Sequence, residues 1–191
     1  MGAARKAGVM GRAAARSTAL LTAGLVSATT LVLGIPMAAV ASPPPSLGSS
    51  YVVDAVDTLT PDEERAVQER LDALSSDTGL DLWVVYVDAF TEPTDAADWA
   101  NETANRNQLG PHQYVLAVAI DDQGASYYLS GDVDDGPLSA DQLTAIEQDD
   151  IQPRLEASDD AGAAIAAADG IQAGARTDAA APGAPAPAPQ S

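Results

Sequence analysis

The chain has 191 residues and carries 28 Asp and Glu residues against 9 Lys and Arg residues, a formal net charge of −19. Such a surface repels phosphate backbones and anionic membranes, so direct nucleic-acid binding is not expected. The chain has no cysteine, which excludes disulfides, thiolate metal sites and a cysteine nucleophile. Its single histidine, His112, excludes metal sites that need several histidines.

Residues 1–41 have the three-part layout of a secretory signal peptide. Four of the nine bases lie in residues 1–16, an uncharged apolar stretch is centred on residues 19–35, and an Ala-x-Ala cleavage box occupies residues 39–41. No Arg-Arg pair is present, which favours the general secretion route. The alternative is an uncleaved membrane anchor, since the apolar stretch approaches the roughly 20 residues that span a bilayer. We therefore expect an extracytoplasmic protein, secreted or held in the cell envelope.

Two low-complexity segments flank one candidate domain. Residues 42–50 begin with Ser-Pro-Pro-Pro-Ser and are typical of a proline- and serine-rich linker. Residues 177–191 are rich in alanine and proline, so we expect them to form a disordered tail. Between them, residues 51–176 form a single domain, which we expect to be a monomer.

The first helix and the first long strand have clear signals. Thr60 begins a Thr-Pro-Asp-Glu capping box, and the helix that follows carries Val67, Leu71 and Leu74 on one face. Residues 82–87 form a continuous apolar run, which is typical of a strand buried on both faces. A short edge strand is also expected over residues 51–53.

The middle of the domain predicts a helix and a hairpin. A second helix is expected from residue 94 or 95 to about residue 107. Residues 114–120 predict a strand, and the turn residues 121–124 join it to another strand over residues 126–129. These two strands should therefore pair as an antiparallel hairpin.

The last third of the domain predicts two helices. Ser139 begins a second capping box, and its helix should end at Pro153. An alanine-rich helix follows from about residue 160 to residue 175. The alternation of helices and strands predicts an α/β fold, in which a mixed sheet has helices packed on it.

Two acidic clusters in loops are candidate sites for a hard divalent cation. Asp54 and Asp57 precede the first helix, and Asp134 and Asp135 follow the hairpin in the acidic segment 131–136. That segment is not an EF-hand, because its glycine falls at position five and no glutamate stands at position twelve. A looser site remains open, in which carboxylates and carbonyls from different loops bind Ca²⁺ or Mg²⁺. The alternative is that these acids are solvated loops of an acidic protein.

A series of motifs along residues 51–176 resembles one known family. The motifs are Val53-Asp54 with Leu59 five residues after the aspartate, Gly79-Leu80-Asp81 before the apolar strand, Leu109-Gly110, the strand at residues 115–119 with Asp121-Asp122 behind it, the segment from Gly131 to Asp135, and Ile151-Gln152-Pro153 before Asp160-Ala161-Gly162. In order and spacing they resemble the TPM domain, a family named for a thylakoid lumen protein, a photosystem II repair factor and a nematode receptor modulator. The chain is most similar to exported actinobacterial members.

The resemblance implies an α/β fold with a central sheet of about four strands flanked by helices. It also implies a cation site, in which Asp54 corresponds to the family's opening aspartate and Asp135 to the glutamate of its G-x-G-x-E segment. Asp57 and Asp134 join that site only by proximity. The chain departs from the family pattern at Val133, where the second glycine is expected, and at Asp135, which is shorter than glutamate.

Two functions remain open. The first is a binding or assembly module that acts on an envelope protein or complex and is gated by a divalent cation. The second is a metal-dependent acid phosphatase, an activity proposed for plant lumenal members of the family, in which cations would polarise a phosphoryl oxygen and activate water. Beyond residue 41 the chain has the 28 acids but only five bases, a net charge of −23. This charge and the lack of clustered arginines favour the first function.

Overall fold

The domain is a four-stranded sheet with helices packed on both faces. The computed structural model describes residues 42–121 and 124–179. The expected signal peptide lies outside the described residues, as do residues 180–191 of the expected tail. The strands are β1 (Val52–Asp54), β2 (Asp81–Val87), β3 (Gln113–Asp121) and β4 (Gly124–Ser130). The helices are α1 (Pro61–Thr78), α2 (Ala96–Arg106), α3 (Ala140–Ala145), α4 (Gln152–Glu156) and α5 (Asp160–Ala179), with a π-helical turn over Ile146–Ile151 between α3 and α4.

The sheet is mixed and has the order β1-β2-β3-β4. β1, β2 and β3 run parallel to one another, and β4 returns antiparallel to β3 as the predicted hairpin. Parallel neighbours need a crossover connection, and α1 and α2 supply the two that this sheet requires. The expected α/β fold, with about four strands and flanking helices, is confirmed.

The predicted capping box sets the start of α1. The Glu63 backbone N–H donates to Thr60 Oγ1 at 3.3 Å, and the Thr60 N–H donates back to the Glu63 carboxylate at 2.8 Å. The helix ends at Gly79, whose φ of 72° lies in the left-handed region that favours glycine. Its predicted apolar face is buried in the core, at Val67, Leu71 and Leu74.

Both faces of the sheet are buried, because successive residues of a strand point to opposite sides. Leu82 and Val84 of β2 belong to the first core, which α1, α5 and the α3–α4 segment close. Val85 and Val87 of the same strand belong to the second core, which α2 closes. This two-sided burial explains the nearly continuous apolar run of β2.

The helical segment after Ser139 does not end at Pro153 as the sequence predicts. The Gln152 backbone N–H donates to the Glu147 carbonyl five residues earlier, which makes one turn wider than a regular α-turn. Pro153 then stands in the first turn of α4, where a missing N–H costs no intrahelical hydrogen bond. The wide turn therefore carries the chain past a residue that would break a regular helix.

Residues 42–47, which we call the strap, pack on the domain instead of forming the expected linker. Ser42 makes a parallel β-bridge with Phe90, and its carbonyl accepts a hydrogen bond from Trp99 Nε1 at 2.9 Å. Pro44 is buried, Pro43 and Ser46 are exposed, and residues 48–50 form a continuous exposed stretch. The local composition predicts a linker because it does not show the aromatic partners of the strap, Phe90 and Trp99, which lie far along the chain.

α5 has 20 residues, but most of its buried side chains are small. Residues 177–179 of the expected tail form its last turn. Within the described part of the chain, none of the helices combines the length and the hydrophobicity needed to cross a membrane. The buried residues of α5 include Ala163, Ala164, Ala167, Ala168 and Ile171, which allow it to lie close to α1.

Candidate functional site

Asp54, at the end of β1, uses its carboxylate to close the loop into α1. Its Oδ1 accepts hydrogen bonds from the backbone N–H groups of Val56 and Thr58, each at 3.2 Å. Its Oδ2 accepts a third from the N–H of Leu59 at 2.8 Å. An aspartate that satisfies three local backbone donors orders its loop much as an N-cap orders a helix. The spacing of Asp54 and Leu59, noted in the sequence, thus has a structural explanation.

Asp57 lies exposed in the same loop. Its φ of 53° is left-handed, a conformation that aspartate adopts more readily than most residues. The loop is tied to the start of α5, because Thr58 Oγ1 donates to Asp160 Oδ2 at 2.9 Å. The Tyr86 hydroxyl, from β2, donates to the Asp160 carbonyl at 2.7 Å. Burial and the Asp160 carboxylate raise the pKa of Tyr86 well above its usual value, so this hydroxyl remains a donor.

The acidic loop after β4 is held by one of its own aspartates. Asp132 Oδ1 accepts hydrogen bonds from the backbone N–H groups of Asp134 and Asp135, both at 3.0 Å. All three aspartates are exposed. The loop is therefore ordered by an aspartate turn, and the side chains of Asp134 and Asp135 remain accessible to solvent.

Two glycines allow this loop to close tightly. A Cβ at Gly131 would collide with the ring of Tyr114, and a Cβ at Gly136 would collide with the carbonyl oxygens of Asp132 and Pro111. Tyr114 is fully buried beneath the loop. Burial and the Asp132 carboxylate raise the pKa of Tyr114 to about 12, so its hydroxyl stays neutral at physiological pH.

The fold places the two predicted acidic pairs at opposite edges of the sheet. Asp54 is in register with Tyr86, towards the carboxyl ends of the parallel strands. β4 runs the other way, so its last residue, Ser130, is in register with Val115 near the amino end of β3. These positions are separated by about 10 Å along the strands and about 14 Å across them. The fold therefore does not bring Asp54 and Asp57 together with Asp134 and Asp135, and cation binding by either pair stays a prediction.

A cleft of about 420 Å³ lies between α2 and the acidic loop, at the amino edge of β3. Its polar lining groups are uncharged except for one carboxylate, that of Asp132. The loop forms one rim of the cleft and the face of α2 forms the other. The lining residues are Asn101, Ala104, Asn105, Leu109, Gly110, Gln113, Ser130, Gly131 and Asp132.

Hydrogen bonds orient the polar side chains of the cleft. Ser130 is buried, and its Oγ donates to Asn101 Oδ1 at 2.7 Å. Gln113 Oε1 accepts from the Gly110 N–H at 2.9 Å, and Gln113 Nε2 donates to Asp81 Oδ2 at 3.3 Å. Groups fixed in this way lose little further freedom when a ligand binds. The lining offers three side-chain amides and the hydroxyl of Ser130 beside the carboxylate of Asp132.

Asp81 anchors the cleft from behind Gln113. The Tyr51 hydroxyl and Ser75 Oγ donate to Asp81 Oδ1 at 2.8 Å and 2.7 Å. Burial alone would raise the pKa of Asp81, but hydrogen bonds from Ser75, Tyr51 and Gln113 outweigh it and hold the pKa below its usual value. The ionised carboxylate therefore joins β2 and β3 to α1 and to the residue before β1.

A model of a known family matches nearly the whole of this domain. The TPM domain model matches residues 52–174. The chain belongs to the TPM domain family. Two relatives are 34% identical over 141 residues, namely UPF0603 protein MT2410 of Mycobacterium tuberculosis strain CDC 1551 and UPF0603 protein Rv2345 of strain H37Rv. These alignments cover 74% of this chain and 20% of each relative, so the chain spans about one fifth of their length.

Solved structures share the fold of this TPM domain at low sequence identity. The N-terminal domain of the Corynebacterium glutamicum protein cg2496 has a TM-score of 0.57 at 17% identity, covering 77% of this chain and 93% of that one. An N-terminal domain from P. gingivalis has a TM-score of 0.53 at 17% identity, with coverages of 65% and 81%. The BA42 protein of Bizionia argentinensis has a TM-score of 0.53 at 16% identity, with coverages of 65% and 86%.

Sequence reasoning missed the amide residues of the cleft. Asn101 and Asn105 stand four residues apart on α2 and therefore share one helix face, which was the only local signal available. Gln113 and Ser130 come from β3 and β4 and reach the cleft only through the pairing of the sheet. In this TPM domain the acidic loop was found from the sequence, whereas the amide-lined cleft beside it required the fold.

Proposed function

We propose that this TPM domain is an exported binding or assembly module of the cell envelope and that it recognises a partner protein through the cleft beside the acidic loop. The observation that carries the proposal is the lining of the cleft, where oriented amides stand beside one exposed carboxylate, Asp132. Side-chain amides match the peptide groups of an extended segment, and the carboxylate matches a basic side chain. The partner is therefore an envelope protein that presents a polar, positively charged segment.

Export is supported by residues 1–41, whose sequence has the layout of a secretory signal. No Arg-Arg pair is present among these residues, which favours the general secretion route. The net charge of −23 beyond residue 41 keeps the domain away from anionic lipid, so membrane contact is limited to an uncleaved signal.

The proposal includes a divalent cation, Ca²⁺ or Mg²⁺, at the acidic loop on the rim of the cleft. Asp134 and Asp135 are exposed there beside Asp132. Across residues 42–121 and 124–179, no three acidic or histidine side chains are grouped closely enough to hold a metal ion. Backbone carbonyls and water would therefore complete the coordination, as hard cations accept. Asp54 and Asp57 are not part of this site.

A metal-dependent acid phosphatase, the other function open from the sequence, is not favoured by the site. The cleft offers no cationic side chain to a phosphate and places Asp132 against it. Four arginines of the described chain are instead paired with acids, as Arg65–Asp62 at 2.8 Å, Arg70–Asp169 at 2.7 Å, Arg106–Glu102 at 2.8 Å and Arg154–Asp159 at 3.1 Å.

Site-directed photo-crosslinking in intact cells tests the proposal. A photoreactive amino acid at Asn105, an exposed residue of the cleft, should give one discrete crosslinked product. The same amino acid at Glu64, an exposed position on α1, is the matched control and should give none. Asp132→Asn should reduce the product at Asn105, because the carboxylate that pairs with the partner's positive charge is lost.

Equal products at both positions, or none at Asn105, would contradict recognition through the cleft. The phosphatase alternative is tested on the purified chain, with p-nitrophenyl phosphate and millimolar Mg²⁺ or Ca²⁺. Hydrolysis that disappears in Asp135→Asn would support the phosphatase and overturn the proposed module.

A further inference from the structure

The second face of the sheet carries a groove in which the strap lies. The rings of Phe90 and Trp99 stand 5.0 Å apart at one end of the groove, and Ser42 is bridged to Phe90 there. At the other end Asn107, which caps the end of α2, donates from Nδ2 to the Pro45 carbonyl at 3.0 Å and accepts the Leu47 N–H at its Oδ1 at 2.8 Å. The groove thus holds the backbone of the strap at both ends.

The contacts of the strap repeat every three residues. The carbonyls that receive side-chain hydrogen bonds belong to Ser42 and Pro45. The side chains that turn inward belong to Pro44, which is buried, and Leu47, which packs on the second core. A polyproline II helix has three residues per turn, and a residue that precedes proline is confined to extended or polyproline II geometry. The Ser-Pro-Pro-Pro segment therefore presents one face to the groove.

The donors of the groove suit a proline-rich backbone. Prolines lack an N–H, so the recognition of such a segment depends on donors that reach its carbonyls and on flat apolar surfaces that meet its rings. Trp99 Nε1 and Asn107 Nδ2 supply the two donors. Asn107 is itself oriented, because Nδ2 also donates to the Thr103 carbonyl at 2.8 Å.

We propose that this groove is a recognition site for proline-rich segments in polyproline II geometry. The strap occupies the groove as an internal ligand. A partner protein that carries a Pro-Pro-Pro-Ser segment takes the place of the strap. Ser50 Oγ is hydrogen-bonded to the Val52 carbonyl and to Gln68 Oε1, which anchors the chain just before β1. Gly48 and Ser49 are exposed, so the strap can leave the groove by turning at these two residues without moving β1. This site lies on another face of α2 from the amide-lined cleft and does not depend on the function proposed for the cleft.

The test uses the full chain, a synthetic peptide with the sequence of residues 42–50 and NMR of the indole N–H groups. The chain has two tryptophans, and Trp83→Phe assigns the Trp99 signal. Pro44→Asp places a charge at a buried position and should release the strap, whereas Pro43→Asp, at an exposed position, should leave it bound. The peptide should bind the Pro44→Asp chain at least tenfold more tightly than it binds the wild type or Pro43→Asp, because in these two chains the tethered strap competes with it.

Binding should also return the Trp99 indole signal of the Pro44→Asp chain to its wild-type position. Adding Asn107→Ala to that chain should remove peptide binding. A peptide of the same composition with its prolines separated should bind at least tenfold more weakly than the proline-triplet peptide.

Absence of peptide binding to a natively folded Pro44→Asp chain would overturn the proposal, as would equal binding to that chain and to the wild type. If Pro44→Asp does not fold, Leu47→Ser serves as the second strap-weakened chain. Loss of folding in both would also overturn the proposal, because a strap that is essential for folding is not an exchangeable ligand. A wild-type chain that dimerises by exchanging straps would overturn it by showing that the occupant is a second copy.

Discussion

The Glu147 carboxylate accepts a hydrogen bond from the backbone N–H of Leu129 at 2.7 Å. β4 is an outer strand of the sheet, and an outer strand presents unpaired backbone groups to other chains. Glu147 lies in the π-helical turn, so the wide turn that carries the chain past Pro153 also brings an acid to this outer edge. This side chain therefore satisfies the outward-facing N–H of Leu129 on this edge of the sheet.

Glu147→Ala should destabilise the domain by about 1 kcal/mol, because the Leu129 N–H loses its acceptor. Glu147→Gln keeps an acceptor and removes the charge. Burial raises the pKa of Glu147, and the hydrogen bond from Leu129 offsets this only in part. A raised pKa in the folded state favours stability at low pH, and that stability is lost as the pH rises through the folded pKa.

The Gln variant should therefore match the wild type near pH 3, below the usual glutamate pKa of about 4.3, and should melt at a higher temperature than the wild type at pH 7. Thermal melts of both chains across this pH range measure the difference. A Gln variant that melts below the wild type at pH 7 would show that the negative charge itself stabilises the turn.

Asp54→Ala should lower the free energy of unfolding by about 1–3 kcal/mol, because three backbone N–H groups lose their acceptor. Asp57→Asn is the matched control in the same loop. It should change stability by less than about 0.5 kcal/mol, since Asp57 is exposed and asparagine also tolerates a positive φ. Urea denaturation measures both, and equal effects of the two changes would mean that Asp54 does not hold the loop.

Gly136→Ala should destabilise the domain by about 1–3 kcal/mol, because its Cβ would meet two backbone carbonyl oxygens that can move only with the loop. Gly131→Ala should act in the same direction through the ring of Tyr114. Gly48→Ala is the control, because no heavy atom lies within 4 Å of the Cβ that it would add. Thermal melts of the three variants measure these effects. A Gly136→Ala chain that melts at the wild-type temperature would contradict the prediction.

Ca²⁺ should shift the amide resonances of residues 131–136 and leave those of residues 55–59 unchanged, because the two acidic loops lie at opposite edges of the sheet. A titration to about 10 mM exceeds the dissociation constants of extracellular calcium modules. Asp135→Asn should remove the shifts, and Asp54→Asn should leave them in place. Unchanged spectra at the end of the titration would eliminate the cation from the proposed function.

Features that depend on neighbouring residues could be predicted from the sequence of this TPM domain. The capping boxes at Thr60 and Ser139 are recognisable because the donor and the acceptor stand three residues apart. The apolar run of β2 indicated burial on both faces. The hairpin of β3 and β4 follows from the turn residues at positions 121–124, which separate two strand signals that are close in the sequence.

Features that depend on distant residues could not be predicted in this way. Composition made the strap look like a linker, since Phe90, Trp99 and Asn107 are far from it in the chain. Pro153 indicated a helix end, because a proline interrupts regular helical hydrogen bonding and the wider turn before it has no clear local signal.

The sequence by itself determined the α/β class, the family and the acidity of the loop after β4. Only the tertiary structure decided that the acids at Asp54 and Asp135 serve different edges of the sheet. The physical reason is the direction of the strands. β1 runs parallel to β3, and β4 runs antiparallel to β3, so the carboxyl ends of β1 and β4, which lead to these acids, point in opposite directions. The amide cleft and the strap groove arise in the same way, from contacts between elements that are far apart in the sequence.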